Sequence, residues 1–190
     1  MNDSGPPKSR KAVFLDRDGT INVEKNYLHR LADWEWIPGA VDAILRLNRA
    51  AYLVIVVTNQ AGIARGMYGE EEVRRLHDQI DAMLAPLGAR IDAYYYCPHH
   101  PDFGDRTSCS CRKPAPGMIL QAQRDWDIDL SRSYIVGDKI ADIEAGLAAG
   151  VTPILVATGY GARSRPTLAA GVRCVSDIGA AAELILGSDS

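Results

Sequence analysis

Phe14-Leu15-Asp16-Arg17-Asp18-Gly19-Thr20 is the stretch on which the reading of this chain turns. The apolar run that enters it, Ala12–Leu15, predicts a short buried strand, and that strand ends in two carboxylates one residue apart. Gly19 and Thr20 then allow a tight turn. Like charges clustered at the end of a buried strand are costly unless a cation or a reaction uses them. The carboxyl edge of a parallel sheet is where an α/β protein collects its chemistry. An isolated Asp-x-Asp can equally be a solvated turn, so its meaning depends on what the rest of the chain brings to the same edge.

Further apolar runs predict strands at residues 53–57, 93–96, 134–136 and 153–156, with a weaker one at 172–175. Helical periodicity fills the gaps. Val41, Ile44, Leu45 and Leu47 share one face. Val73, Leu76, Ile80, Met83 and Leu84 share another, ended by Pro86 and Gly88. Met118, Ala122 and Trp126, then Ile140, Ile143 and Leu147, then Ile178, Ala182 and Ile185 complete the set. Strands alternating with helices predict right-handed crossovers and an α/β, doubly wound, mostly parallel sheet, here as a single domain over residues 11–187. Residues 1–10 are polar, lack the apolar segment of a secretory signal and are expected to be a flexible tail; residues 187–190 read as a loose end. Residues 22–38 and 98–116 fit neither period, and loops of that length in a small domain are usually functional. The first is expected to form a flap over the sheet edge, anchored by Tyr27 and Trp34. Neither insertion is long enough for a large cap domain.

The chain's 190 residues, 47% hydrophobic and 24% charged, are sufficient for a core without disulfide support. A net charge of -3 offers no basic face for nucleic acid or an anionic membrane, and no apolar run approaches the roughly 20 residues of a membrane span. The expectation is a monomeric cytoplasmic protein acting on a small molecule. Its four cysteines suit metal or inert thiols better than a disulfide scaffold. Three of them lie in the second long loop, as Cys97-Pro98-His99-His100 and Cys109-Ser110-Cys111. Three thiols and one imidazole match a closed tetrahedral structural Zn²⁺ site, with Cys97, His99, Cys109 and Cys111 as ligands and His100 as the alternative imidazole. The loop runs directly into Arg112-Lys113, so the metal would fix the path of both basic residues. Cys174 reads as a buried core thiol.

Polar residues follow four of the predicted strands or turns: Asp16 and Asp18; Thr58-Asn59-Gln60; Arg112-Lys113-Pro114; and Gly137-Asp138-Lys139 with Asp142. In this order the set resembles the haloacid dehalogenase-like (HAD) phosphatase superfamily, over residues 11–158. The resemblance implies a Rossmann-like HAD fold and phosphoryl transfer. Asp16 would then be the nucleophile, forming an aspartyl-phosphate, and Asp18 the acid and base. Mg²⁺ would be held by Asp16, the main-chain carbonyl of Asp18 and Asp138, with Asp142 orienting its surroundings. Thr58 would donate to a phosphoryl oxygen and Lys113 would neutralise its charge.

Within that superfamily, two groups share the C-x-H…C-x-C loop: heptose-1,7-bisphosphate 7-phosphatases and histidinol-phosphatases. The runs from Asp16 to Glu24 and on to Tyr27, from Thr58 to Gly66, and from Cys111 to Met118 are similar to the heptose group. That likeness implies a sugar bisphosphate used in surface-polysaccharide synthesis. Ala61 departs from the small hydroxyl residue expected there. The candidate substrate contacts are Glu24, Tyr27, Asn59, Gln60, Ala61, Arg65, Arg112 and Lys139, with the arginines and Lys139 available for a second anionic group. A cationic imidazole substrate would call for extra acids, for which Glu24 and Asp33 are the candidates. A zinc-stabilised binding module on an inactive fold is the non-enzymatic alternative, opposed by the intact Asp16, Asp18, Lys113 and Asp138.

Overall fold

Strands β1 (Ala12–Leu15), β2 (Leu53–Asn59), β3 (Ala93–Cys97), β4 (Tyr134–Gly137), β5 (Thr152–Val156) and β6 (Arg173–Val175) make one sheet in the computed structural model, which describes residues 9–188. Their order is β3-β2-β1-β4-β5-β6, and every neighbouring pair is parallel. The chain steps outward from β1 through β2 to β3, then returns to β4 on the other side of β1. That reversal puts the switch point, where such sheets open a crevice, at the carboxyl end of β1. All four residues of β1 are buried, as a central strand covered on both faces requires.

The described residues form seven α-helices around the sheet: α1 (Ala40–Arg49), α2 (Ala61–Ala64), α3 (Glu70–Leu84), α4 (Gly117–Trp126), α5 (Ile140–Ala149), α6 (Gly161–Ser164) and α7 (Ile178–Ser188). Alternate strand residues face opposite layers. Val13, Leu15, Val54 and Val56 pack with Ile44 and Leu47 of α1, Leu76 and Ile80 of α3 and Ile185 of α7. Phe14, Ile55 and Val57 pack on the other face with Met118 and Ile119 of α4 and Ala145 of α5. No helix among the described residues is long and apolar enough to cross a membrane.

Four expectations need correction. Residues 1–8 lie outside the described residues, but Arg10 is fixed: its N–H donates to Asp127 O at 2.9 Å and its carbonyl accepts from Asp129 N at 2.8 Å. Gly187 and Ser188 are not loose either; they complete α7, while residues 189–190 lie outside the described residues. Residues 22–38 form a pinned excursion, with Val23 N donating to Glu35 O at 2.8 Å and Ile37 N to Ile21 O at 3.0 Å. Trp34 packs edge-on against Trp36 at 5.0 Å, and both rest on the core, whereas Tyr27 stands 38% exposed at the tip and anchors nothing apolar. Cys174 is only half-buried, because β6 is an edge strand with helix cover on one side.

One buried group makes the fold acid-sensitive. His77 of α3 lies flat on Tyr94, ring centroids 4.1 Å apart, and its Nε2 has no hydrogen-bond partner. Burial, helped by the Arg17 charge, pushes its pKa down from 6.5 to about 3. The folded state therefore disfavours the imidazolium, so this contribution to stability is complete above pH 6.5 and is lost as pH falls toward 3. His77→Phe keeps the ring stack and removes the titration. Urea unfolding across that window is expected to show a wild-type loss steeper by about 1 kcal/mol per pH unit than the variant's. Equal slopes would contradict the assignment.

Candidate active site

Lys113 organises the site. Its ammonium is buried and donates to Asp16 Oδ1 at 2.8 Å and to the Val57 carbonyl at 2.7 Å, and it pairs with Asp142. Three protons thus meet three acceptors. Burial alone would disfavour the Lys113 charge, but Asp142 and Asp16 outweigh it and raise the pKa. Burial likewise works against the Asp16 carboxylate, yet Lys113 and Lys139 hold it below the ordinary aspartate value. The Lys113 backbone is clamped from the end of β2, where Asn59 Nδ2 donates to Lys113 O at 3.0 Å and Lys113 N to Asn59 Oδ1 at 3.1 Å. Asn59 thus positions Lys113, and its amide keeps a second N–H to donate.

Asp138 lies where β4 gives way to α5. Its Oδ2 accepts from Tyr160 N at 2.8 Å, while Oδ1 is buried with no hydrogen-bond partner. Gly19 and Gly159 crowd against it, both at positive φ; a Cβ on either would stand 2.2 Å from Asp138 Oδ2. Oxygens of Asp16, Asp138 and Asp142 lie within 4.8 Å of one another. Burial and then the Asp16 charge push the Asp138 pKa up to about 7. Hard oxygens, excess negative charge and an orphaned acceptor fit a divalent cation of the magnesium type. Asp142 also binds Lys113, and its Oδ2 accepts from Lys139 N at 2.9 Å at the start of α5.

Asp18 is held by a residue that sequence reasoning treated as a spacer. Arg17 is fully buried and reaches Asp18 Oδ2 through Nη2 at 2.9 Å and Nε at 3.1 Å. The same Nη2 donates to Leu28 O at 2.6 Å, fastening the excursion, and Asn22 Nδ2 donates to Asp18 Oδ1 at 3.0 Å.

One cavity of about 310 Å³ opens at this end of the sheet. Of the expected site residues, Asp16, Asp18, Glu24, Tyr27, Thr58, Asn59, Gln60, Ala61, Arg112, Lys113, Lys139 and Asp142 line it, whereas the fully buried Asp138 does not. Asn26, Tyr68, Ala141 and Tyr160 line it without having been foreseen. Tyr160, flanked by Gly159 and Gly161, left a visible turn signature; Tyr68 left none. Arg65 is absent from the lining: its guanidinium stacks 3.9 Å over Phe103, so it ties α2 to the cysteine loop. Lys139 Nζ stands 3.3 Å from Glu24 across the mouth, and Arg112 donates to His99 O at 2.9 Å. Burial opposes the Lys139 charge, but Asp16, Asp138 and Glu24 raise its pKa above the ordinary lysine value.

Cys97, His99, Cys109 and Cys111 converge beside Arg112, with donor atoms all within 4.8 Å of one another. Cys97 Sγ lies 3.1 Å from Cys111 Sγ and 3.5 Å from Cys109 Sγ, and His99 Nδ1 lies 3.3 Å from Cys111 Sγ. His100 turns away, its ring against Phe103 and its Nδ1 accepting from Asp102 N at 3.1 Å. The imidazole of the set is therefore His99. Three thiols and one imidazole fit zinc, which would deprotonate the thiols and cross-link a loop of low apolar content.

Residues 110–183 match the HAD-hydrolase-like family model. The chain is 47% identical over 152 residues to a Photorhabdus laumondii D-glycero-beta-D-manno-heptose-1,7-bisphosphate 7-phosphatase, covering 78% of this chain and 81% of that protein. The Escherichia coli K12 protein of the same name is 47% identical over 156 residues, covering 80% and 82%. Among solved structures, D,D-heptose 1,7-bisphosphate phosphatase from B. bronchiseptica, complexed with magnesium and phosphate, superposes with a TM-score of 0.85 at 39% identity, covering 94% of this chain and 99% of that one. The Burkholderia thailandensis counterpart gives 0.71 at 36% identity, covering 93% and 99%.

Protein purified without chelator is expected to carry about one zinc per chain. Stripping it should leave residues 98–110 open to protease while the sheet's far-ultraviolet signal persists. Absence of zinc, or unchanged cleavage after chelation, would contradict the site.

Proposed function

The chain belongs to the heptose-1,7-bisphosphate 7-phosphatase family of HAD-like hydrolases, and from that premise we propose how its residues carry out the reaction. The protein is a phosphoric monoester hydrolase that removes the 7-phosphate of D-glycero-D-manno-heptose 1,7-bisphosphate. The observation that carries the mechanism is a buried Asp16 carboxylate 2.8 Å from the buried Lys113 ammonium, in the same cavity as Asp18.

Asp16 attacks phosphorus as the ester P–O bond breaks, and Asp18 gives a proton to the departing sugar oxygen. Water then attacks phosphorus, surrendering a proton to Asp18, and inorganic phosphate leaves Asp16 free. Lys113 and the Thr58 hydroxyl face the charge that grows on the phosphoryl oxygens. Magnesium, when held by Asp16, Asp138 and the Asp18 carbonyl, draws electron density from those oxygens. Arg17 and Asn22 fix the Asp18 carboxylate at the cavity wall.

Arg112 and Lys139 remain for the second phosphate, and Glu24 for a sugar hydroxyl; Arg65 leaves the substrate set because it stacks outside the cavity. A cationic imidazole substrate is poorly served. Asp33, one of the acids it would need, pairs with Arg30 at 2.8 Å and does not line the cavity.

Asp16→Asn is expected to lower kcat by at least about 10³-fold with the thermal midpoint retained. The wild-type kcat/KM for the sugar bisphosphate should exceed that for histidinol phosphate by about 10²-fold or more. Retained turnover in the variant would remove the nucleophile, and a reversed preference would remove the substrate.

A further inference from the structure

We propose that Gln60 is a positioning residue: its side-chain amide points the Thr58 hydroxyl proton into the active-site cavity. The inference rests on the phosphatase reading only in giving that proton a phosphoryl oxygen to meet.

The amide's orientation is dictated by its neighbours. Arg17 Nη2 can only donate, and it lies 3.4 Å from Gln60 Oε1, while Gln60 Nε2 faces Asp18 Oδ2 at 3.4 Å. The opposite amide flip would set the Gln60 NH2 against the Arg17 guanidinium, donor against donor. Tyr68 reinforces the choice, its hydroxyl donating to Oε1 at 2.8 Å. Burial pushes that phenol up to about 12, so it stays protonated at any working pH. Gly62 makes room for the ring, since a Cβ there would stand 2.2 Å from Tyr68 Cε1.

With the flip fixed, Nε2 faces Thr58 Oγ1 at 2.9 Å and donates to it. A hydroxyl that accepts at one side has its single proton left to donate at another. Thr58 is 1% exposed and lines the cavity, so that proton is directed to whatever the cavity holds. Gln60 itself is 2% exposed, and both ends of its amide are occupied by protein. Its expected role as a sugar contact therefore gives way to one exerted through Thr58.

The test is a double-mutant cycle in kcat, run with an aryl phosphate and with the sugar bisphosphate. Thr58→Val removes the donor and is expected to cost about 10²-fold. Gln60→Met should cost about tenfold in kcat on both substrates while KM stays within about twofold, because the hydroxyl is present but misdirected. Combined, the two changes should be no worse than Thr58→Val alone. Multiplying losses would overturn the proposal by showing that Gln60 acts through Asp18 or elsewhere. A rise in KM confined to the sugar bisphosphate would overturn it in favour of a sugar contact. Gln60→Glu covers the case in which Gln60→Met does not fold. Its carboxylate keeps the shape but can only accept, so Thr58 must donate to it, and kcat should fall to the Thr58→Val level; wild-type kcat in that variant contradicts the relay. Wild-type failure on the sugar bisphosphate with activity on the aryl ester would defeat the substrate reading and leave this cycle measurable.

Discussion

Four buried carboxylates share one end of the sheet; Arg17 holds Asp18, and a single buried ammonium stands among Asp16, Asp138 and Asp142. Without Lys113 the cluster would be self-repelling, and its acids would neutralise themselves by taking up protons. With it, the buried Asp16 is held toward its charged form, which is what a carboxylate nucleophile requires. Lys113 does not discharge the whole cluster. Asp138, pushed upward by burial and by Asp16, keeps an orphaned oxygen, and the remaining negative charge calls for a divalent cation. Ionised nucleophile and metal demand are thus two consequences of one electrostatic arrangement.

The fold exists in this form around that arrangement. Asp16 and Asp138 come from β1 and from the end of β4, neighbouring strands whose register is fixed by parallel pairing. Lys113 comes from a loop and has no strand to place it. Its position is supplied by the Asn59 clamp on its backbone and by the four-donor cluster immediately before it in sequence. Zinc in that cluster would therefore bear on catalysis through the path of the chain, with no open position of its own needed.

Much of this was legible from residue order. Central strands covered on both faces read as unbroken apolar runs, so β1, β2, β4 and β5 were found, with the carboxylates after β1 and β4, and the edge strands β3 and β6 kept enough apolar residues to be found as well. The rest depended on contacts between residues far apart in sequence. Asn59 and Gln60 look like sugar ligands because amides are; in the fold Asn59 clamps the Lys113 backbone, and Thr58, Tyr68 and Arg17 take the Gln60 amide. Arg65 looks like an anion site, but Phe103, almost forty residues later, takes its guanidinium face. Arg17 sits between two aspartates and reads as a spacer; only its complete burial shows that it fixes Asp18. Cys174 reads as core because its strand is apolar, and sequence gives no sign that the strand is an edge.

A phosphoryl group carried on Asp16 requires two in-line displacements at phosphorus, whereas direct attack by water requires one. Hydrolysis, in isotopically labelled water, of a thiophosphate analogue of the substrate made chiral at phosphorus with oxygen isotopes distinguishes them. Retention of configuration in the released thiophosphate is the outcome this account predicts, and inversion would contradict it.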